Sequence, residues 1–202
     1  MEATYIYKTL DRPSNESLYK EKGRKFIVYA FPVKTEDDIK THLEALRKEH
    51  HSARHWCYAY QVGIEKPSHR ANDDGEPNNS AGQPIYGQIL SFELTNVLVV
   101  VGRYFGGTKL GVGGLIHAYK TAAQQTLESG PIIIRSIDKS FRLTFDYKNM
   151  NKVMRIIKEH KLKIIDQQME LKCQLDFSVR KGQANRIFEL FDQLFEVSIK
   201  EL

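Results

Sequence analysis

The segment NVLVVVGRYFGGTKLGVGGLIHAY, residues 96–119, joins an apolar run to a stretch that contains five glycines after Arg103. Residues 97–102 are apolar without alternation, which is typical of a strand covered on both faces. Leu115, Ala118, Tyr119 and Ala122 then recur at the spacing of one helical face. The segment therefore predicts a buried strand, a glycine-rich turn and a helix from about residue 114 to residue 128.

The glycine-rich turn also predicts a place where the backbone approaches an anion. Glycines adopt positive φ readily, and exposed N–H groups at the start of a helix attract negative charge. The spacing matches neither G-x-x-x-x-G-K-[ST] nor G-x-G-x-x-G, so no nucleotide fingerprint is present. A tight turn whose glycines only avoid clashes is the alternative. The candidate anion- or nucleic-acid-binding residues here are Arg103, Tyr104, Gly106, Gly107, Lys109, Gly111, Gly113 and Gly114.

Residues 65–83 are polar, show little periodicity and predict a long loop. Asp73, Asp74 and Glu76, which we call the acidic loop, place three carboxylates within four residues. The spacing of a calcium loop is absent, and acids that cap the helix after the loop are favoured over a Mg²⁺ site. Pairing with Arg103 and Lys109 is a further possibility. We predict no bound metal and no cofactor.

Other candidates for a pocket are His55, His117 and Tyr119. In residues 55–62, alternation predicts a strand with Trp56 and Tyr58 on one face and His55 and Cys57 on the other. A Cys/His nucleophile pair is one reading of that second face, but a partly buried structural cysteine is far commoner. The motifs H-E-x-x-H and G-x-S-x-G are absent, so zinc and serine hydrolases have no support.

The chain divides near Gly130 and Pro131, which would end the preceding helix. We predict an N-terminal domain over residues 1–135 and a C-terminal domain over residues 136–202. The order of strands and helices in the second domain is βαββαβ, which is typical of a ferredoxin-like sandwich. A helix over about residues 149–161 carries Lys152, Arg155 and Lys158 away from its apolar face, and this basic stripe is a second candidate nucleic-acid contact.

Charge and composition narrow the class of protein. The net charge is +5, and residues 131–202 hold 14 Lys and Arg against 10 Asp and Glu, whereas residues 1–130 hold 16 against 15. Such a surplus suits a polyanionic partner. No segment reads as a membrane span or a targeting peptide, and the two cysteines form no disulfide or zinc pattern. We therefore expect a cytoplasmic protein with reduced thiols and no membrane partner.

The runs ARHWCYAY, DDGEPNNSAGQPI and LTNVLVVVGRYFGGTKLGVGGLIHAY resemble the signature of the YigZ/IMPACT family, in order and at the family's spacing, from about residue 22 to residue 130. The chain differs from the family pattern at residues 78–82, where it has NNSAG, and at His117, where an arginine is usual. The resemblance implies a two-domain α+β protein. Its first domain would be similar to the ribosomal-protein-like domain IV of elongation factor G, and its second would be ferredoxin-like.

Eukaryotic members of that family act in translational control, and for bacterial members RNA or ribosome association is the usual suggestion. The combined prediction is a nonenzymatic protein that binds RNA or the ribosome and modulates translation, without sequence-specific DNA binding. The alternative is an enzyme that acts on a small phosphorylated or carboxylated substrate between the acidic loop and the glycine-rich turn. The sequence leaves the oligomeric state open.

Overall fold

The computed structural model describes residues 5–104 and 110–202. Two compact units are present. The first is Tyr7–Arg135, and the second is Ser136–Leu202 together with Tyr5 and Ile6. No helix within the described residues is long and apolar enough to cross a lipid bilayer.

The first unit is built on a five-stranded antiparallel sheet in the order β2-β3-β6-β4-β5. Its central strand β6 is the apolar run predicted from the sequence, and residues 97–101 are fully buried. A separate two-stranded sheet pairs β1 with β7. The strands are β1 (Ile6–Leu10), β2 (Ser17–Glu21), β3 (Arg24–Pro32), β4 (His55–Val62), β5 (Ser68–Asn72), β6 (Val97–Tyr104) and β7 (Ile132–Ser136).

Both faces of the five-stranded sheet are covered, because its strands alternate between two apolar cores. The Trp56 face packs with α1 (Glu36–Glu49), and the Cys57 face packs with α2 (Gly82–Ser91) and α3 (Val112–Glu128). The predicted alternation of β4 is thus confirmed. Thr35 and Asp38 form a reciprocal capping box at the start of α1, as their spacing predicts.

The prediction of one long loop over residues 65–83 is wrong in part. Residues Ser68–Asn72 form β5, an edge strand that pairs with β4 from Tyr58↔Asn72 to Val62↔Ser68. Its sequence, SHRAN, has no apolar alternation because an edge strand with exposed side chains needs none. Pairing across the sheet, not local pattern, determines this strand.

The second unit has the predicted order βαββαβ and the sheet order β11-β8-β10-β9, which is a ferredoxin-like sandwich. It has one core, which includes Phe141, Leu143 and Phe177. The spacing of Ile187, Phe191 and Phe195 predicts one apolar helix face. Phe195 instead lies beyond the end of that helix and is 82% exposed. The elements are β8 (Asp138–Asp146), a 3₁₀ turn (Tyr147–Asn149), α4 (Met150–Glu159), β9 (Lys163–Gln168), β10 (Lys172–Arg180), α5 (Lys181–Asp192) and β11 (Val197–Glu201).

Candidate functional site

A buried polar cluster joins the acidic loop to the sheet and to α3. Arg103 Nε lies 2.6 Å from Glu76 Oε1, and the two side chains are 11% and 3% exposed. Tyr119 Oη donates to the same oxygen at 2.7 Å. Among the described residues, no acceptor lies in hydrogen-bonding geometry for the Nε–H of Arg103, so its contact with Glu76 is chiefly an attraction of opposite charges. The cluster brings together three sequence-predicted site residues.

Cys57 lies on the inner side of this cluster. Its Sγ is 3.0 Å from the Asp73 carbonyl oxygen and 3.3 Å from Tyr119 Oη. Burial raises the pKa of the Cys57 thiol well above its ordinary value, and it also raises the pKa of the Tyr119 hydroxyl. Both groups are therefore neutral at physiological pH. A Cys57 thiolate paired with His55 has no support in this geometry, because the thiol contacts Asp73 and Tyr119 instead.

Asp73 holds the start of α2. Its Oδ1 accepts the backbone N–H groups of Ala81 and Gly82 at 3.0 and 2.8 Å, and its Oδ2 accepts that of Asn79 at 2.8 Å. These donors would otherwise be unpaired at the helix start, so the carboxylate acts as a cap supplied from the preceding loop. Gly82 must be glycine, because a Cβ there would lie 2.5 Å from the Asn72 backbone nitrogen.

Asp74 connects the loop to β4 and α1. Its Oδ2 accepts the Trp56 backbone N–H at 2.7 Å, and its Oδ1 lies 3.2 Å from Arg47 Nη2. The Asp74 carbonyl oxygen is 2.8 Å from His55 Nδ1. A carbonyl can only accept, so Nδ1 of His55 carries a proton. Asp74 itself has positive φ, 42°, followed by Gly75 at 86°, which is how the loop turns here.

The three carboxylates of the acidic loop are thus all engaged by protein donors. No three His, Cys, Asp or Glu side chains in residues 5–104 and 110–202 are grouped so that they could hold a metal ion. The interpretation of these acids as caps and ion-pair partners agrees with their contacts. A Mg²⁺ site at Asp73 and Asp74 does not fit them, because both carboxylates already accept from the protein.

Consecutive residues at the end of β6 point to opposite faces of the sheet. Arg103 faces Glu76 and Tyr119, whereas Tyr104 Oη lies 2.9 Å from His50 Nδ1 on the α1 side. The structure therefore separates these two predicted residues. Gly106, Gly107 and Lys109 lie outside the described residues. The role of Arg103, Tyr104 and the glycines in anion binding stays a prediction.

Gly111 is the N-cap residue of α3, and this glycine has no side chain that could cap the helix. The first turn of α3 contains no acidic residue. Gly111 and Gly113 are exposed, and a Cβ at either would meet nothing within 4 Å, whereas a Cβ at Gly114 would approach the Leu110 side chain at 2.9 Å. His117 is exposed on the same helix. An uncapped helix start is the geometry that the anion prediction requires, and among the described residues no acidic side chain lies in the first turn.

The sequence analysis missed one buried cation. Arg24, the first residue of β3, is 1% exposed, and its Nη1 donates to the Lys22 carbonyl oxygen at 3.3 Å. Its Nε and Nη2 are buried without a hydrogen-bond acceptor among the described residues. Arg24 is in phase with Phe26 and Val28, which face the core. The two-residue alternation of β3 could therefore have indicated that the side chain of Arg24 points into the core.

The second unit carries the other predicted contact residues. Lys152, Arg155 and Lys158 are exposed on α4, and Val153, Ile156 and Ile157 are its buried face. With Lys148, which precedes the helix, these three cations form what we call the α4 basic face. Lys148 Nζ lies 2.5 Å from Glu196, and Arg155 Nε lies 3.7 Å from Glu159. The charge of Lys152 also acts on Glu196.

Comparisons with known proteins identify relatives over nearly the whole chain. The IMPACT family member YvyE of Bacillus subtilis is 29% identical over 190 residues, 94% of this chain and 87% of that protein. An IMPACT family member of Haemophilus influenzae is 31% identical over 159 residues, 77% of each chain. A crystal structure of a hypothetical protein shares the fold, with a TM-score of 0.72 at 24% identity over 99% of this chain and 98% of that one.

The model of the Impact N-terminal domain matches residues 22–127, which is more than half of the chain and includes the acidic loop, β4, β6 and most of α3. The expected resemblance is confirmed, and this chain belongs to the IMPACT family.

Proposed function

We propose that this protein is a nonenzymatic RNA-binding protein that associates with the ribosome and modulates translation. The observation that carries the proposal is the α4 basic face, an exposed row of cations on a ferredoxin-like unit. Structured RNA is recognised mainly through its shape and its phosphates, and exposed Lys and Arg side chains on one helix face supply suitable contacts. Membership of a family with members in translational control supports the choice of partner.

The acidic neighbours do not cancel this face. Arg155 and Glu159 are 72% and 60% exposed, and exposed ion pairs contribute about 0–1 kcal/mol. A phosphate can therefore replace Glu159 at little cost. Lys152 interacts with the charge of Glu196, but it forms no salt bridge within 4 Å among the described residues, and neither does Lys158. A phosphate contact by either side chain therefore breaks no such ion pair.

The alternative function, an enzyme that uses the acidic loop as a general base, has less support. Such a base needs a carboxylate that can reach the substrate. Asp73 is occupied by three backbone N–H groups, Asp74 by one backbone N–H and Arg47, and Glu76 is buried against Arg103 and Tyr119. Each carboxylate has a structural role that proton transfer would disrupt.

The test is cosedimentation of the full-length protein with ribosomes and with bulk RNA over a range of salt concentrations. The variant Lys152→Glu/Arg155→Glu should weaken saturable binding and lower the slope of log affinity against log salt by about 2, since each lost phosphate contact removes about one unit. A charge-matched control is Lys172→Glu/Lys200→Glu, on the sheet face opposite to the helices. This control should bind more tightly than the α4 variant.

Binding that is independent of salt, or that the two double variants weaken equally, would contradict the proposal. A complete absence of binding at low salt would contradict it as well. In that case the small-molecule alternative should be tested with a screen of phosphorylated metabolites.

A further inference from the structure

Three large apolar side chains are exposed at one end of the second unit. Phe195 is 82% exposed, Tyr147 is 64% exposed and Leu171 is 92% exposed. They come from the loop before β11, the 3₁₀ turn after β8 and the turn between β9 and β10. We call these three residues the apolar row. Single exposed apolar residues are common on proteins, but several of them grouped at one place indicate a site of interaction.

The strand register explains why the three residues lie at the same end of the sheet. Val197, Phe145 and Cys173 pair across β11, β8 and β10 and are all buried. Each residue of the apolar row lies two positions beyond one of them, towards the same end. The Tyr147 N–H donates to the Leu171 carbonyl oxygen at 3.4 Å, in agreement with this order. Neighbouring strands lie about 4.8 Å apart, so the backbone of the row spans about 10 Å.

The apolar row adjoins the α4 basic face. Lys148 follows Tyr147 in the chain, and its Nζ lies 2.5 Å from Glu196, the residue after Phe195. The charge of Lys152 also acts on Glu196. Two cations of the α4 basic face thus lie beside the segments that carry the two aromatic rings of the row.

Both aromatic rings of the row are open to a partner. Among the described residues, the rings of Tyr147 and Phe195 lie against no other aromatic ring. An exposed ring of this kind is a surface on which a nucleobase stacks, and such stacking depends little on which base it is. The combination of rings with neighbouring cations is the one that binds unpaired RNA.

The charged neighbours of the row argue against a dry protein interface. Each of its three residues is followed directly by a charged residue, namely Lys148, Lys172 or Glu196. The core of a protein interface is depleted of Lys and Glu, because burying their charges is costly. An RNA strand suits both features, because its bases stack on rings while its phosphates stay in water beside the cations.

The carboxylates near the row leave the surroundings positive by one charge. The four cations of the α4 basic face and Lys172 stand against Asp146, Glu159, Glu170 and Glu196. Lys148 and Glu196 are 61% and 38% exposed, and exposed ion pairs of this kind are weak. A phosphate can therefore replace Glu196 beside Lys148.

We propose that the apolar row binds unpaired nucleobases of an RNA whose phosphates lie along the α4 basic face. The choice of RNA rests on the proposed function, and the row adds the class of RNA. Bases inside a continuous duplex are stacked on one another, whereas those of a hairpin loop, a bulge or a single-stranded end can reach a protein ring. The protein therefore prefers RNA with unpaired nucleotides. Tyr147 and Phe195 stack on bases, and Leu171 supplies an apolar contact beside them.

The experiment uses the full chain and two RNA probes with equal numbers of phosphates: a hairpin with 2-aminopurine in its loop, and an uninterrupted duplex. The fluorescence of 2-aminopurine falls when the base stacks. We expect tighter binding of the hairpin than of the duplex, with a fall in fluorescence. Tyr147→Ser/Phe195→Ser should weaken hairpin binding about tenfold and remove that fall, because the stacking rings are lost. Its affinity for the duplex should stay unchanged.

The matched control is Ile134→Ser/Leu202→Ser, which replaces two apolar residues that are 61% and 56% exposed outside the row. This control should bind both probes as the wild type does. Tyr147→Phe keeps a ring and should retain hairpin binding. Leu171→Ser is a second test that does not depend on the folding of the double variant, and it should weaken binding of the hairpin alone.

Equal wild-type affinity for the two probes, or wild-type hairpin affinity in both Tyr147→Ser/Phe195→Ser and Leu171→Ser, would overturn the proposal. If the wild type binds neither probe, the proposed function fails as well. If Lys152→Glu/Arg155→Glu weakens binding of both probes while the Ser variants bind the hairpin normally, only the role of the apolar row is overturned. Loss of ribosome cosedimentation in the Ser variants without a change in hairpin binding would identify a protein partner and would also overturn it.

Discussion

Arg103 Nε and Glu76 Oε1 lie 2.6 Å apart in an almost fully buried ion pair, and Tyr119 donates to the same carboxylate oxygen. A buried pair gives limited stability relative to an apolar pair, but removing one partner leaves an uncompensated buried charge. Glu76→Gln should therefore lower the free energy of unfolding by about 3–5 kcal/mol. Denaturation with urea, monitored by circular dichroism, measures the loss.

The matched control for this prediction is Glu93→Gln. Glu93 also pairs with a cation, Lys8, but its side chain is 74% exposed, so its loss should have little effect on the free energy of unfolding. Equal losses in the two variants would mean that the cluster around Glu76 does not stabilise the fold. Arg103→Ala would likewise leave Glu76 buried without its partner and disturb folding. This variant is therefore a poor probe of RNA binding.

For a second buried charge, Arg24, we predict the opposite: its removal should stabilise the protein. Its Nε and Nη2 have no acceptor among the described residues, and a buried charged group without hydrogen-bond partners carries a desolvation cost that an apolar side chain of similar length does not. Arg24→Met should therefore raise the melting temperature of the free protein. A large loss of stability would show instead that the guanidinium has a stabilising partner.

Two glycines of α2 give a matched pair. A Cβ at Gly82 would clash with the Asn72 backbone, whereas one at Gly87 would meet nothing within 4 Å. Gly87→Ala should stabilise the protein by about 0.5–1 kcal/mol through helix propensity. Gly82→Ala should destabilise it, because the backbone of β5 must move. The melting temperatures of the two variants test this prediction. If both substitutions stabilised the protein, the close approach of α2 to β5 would not be required.

The sequence predicts those parts of the fold that local patterns determine. Alternation identifies the faces of β4, the apolar run identifies β6, and the spacing of Thr35 and Asp38 marks the start of α1. The edge strand β5 is not predictable in this way, because its side chains show no apolar alternation and its pairing with β4 defines it. The prediction for Phe195 is wrong for a related reason. The apolar spacing continues to Phe195, but helix α5 ends at Asp192.

The kinds of side chain in the candidate site could be predicted from the sequence, but the contacts between them could not. The acids of the acidic loop and the cations near it are evident from the sequence. Glu76 binds Arg103 from 27 positions away, and Asp74 reaches Arg47 from the same distance. Only the folded sheet brings these residues together.

The reactivity of the Cys57 thiol tests whether this cysteine has a structural role. Burial raises the pKa of its thiol, and the thiolate is the reactive form. Cys57 and Cys173 are both buried, so neither should react with iodoacetamide in the native protein at pH 8, and both should react in guanidinium chloride. Mass spectrometry of digested peptides locates the label. Fast labelling of native Cys57 would revive the Cys/His nucleophile hypothesis.

Acid unfolding tests an ion pair of the second unit. Arg142 donates from Nε and Nη2 to the two carboxylate oxygens of Asp176, both at 2.7 Å, and these hydrogen bonds lower the pKa of Asp176. Since the folded-state pKa is below the unfolded value, near 3.8, the pair stabilises the protein fully above that value. Its contribution is lost as pH falls through the folded-state pKa. Arg142→Gln should therefore reduce the free energy of unfolding at pH 7 and have little effect on it near pH 2.

Lys139→Gln is the control on the same strand, because its partner Glu201 is 52% exposed. Urea denaturation at a series of pH values from 7 to 2 measures both. An equal loss at all pH values in Arg142→Gln would show that the variant acts through packing and not through the charge of Asp176.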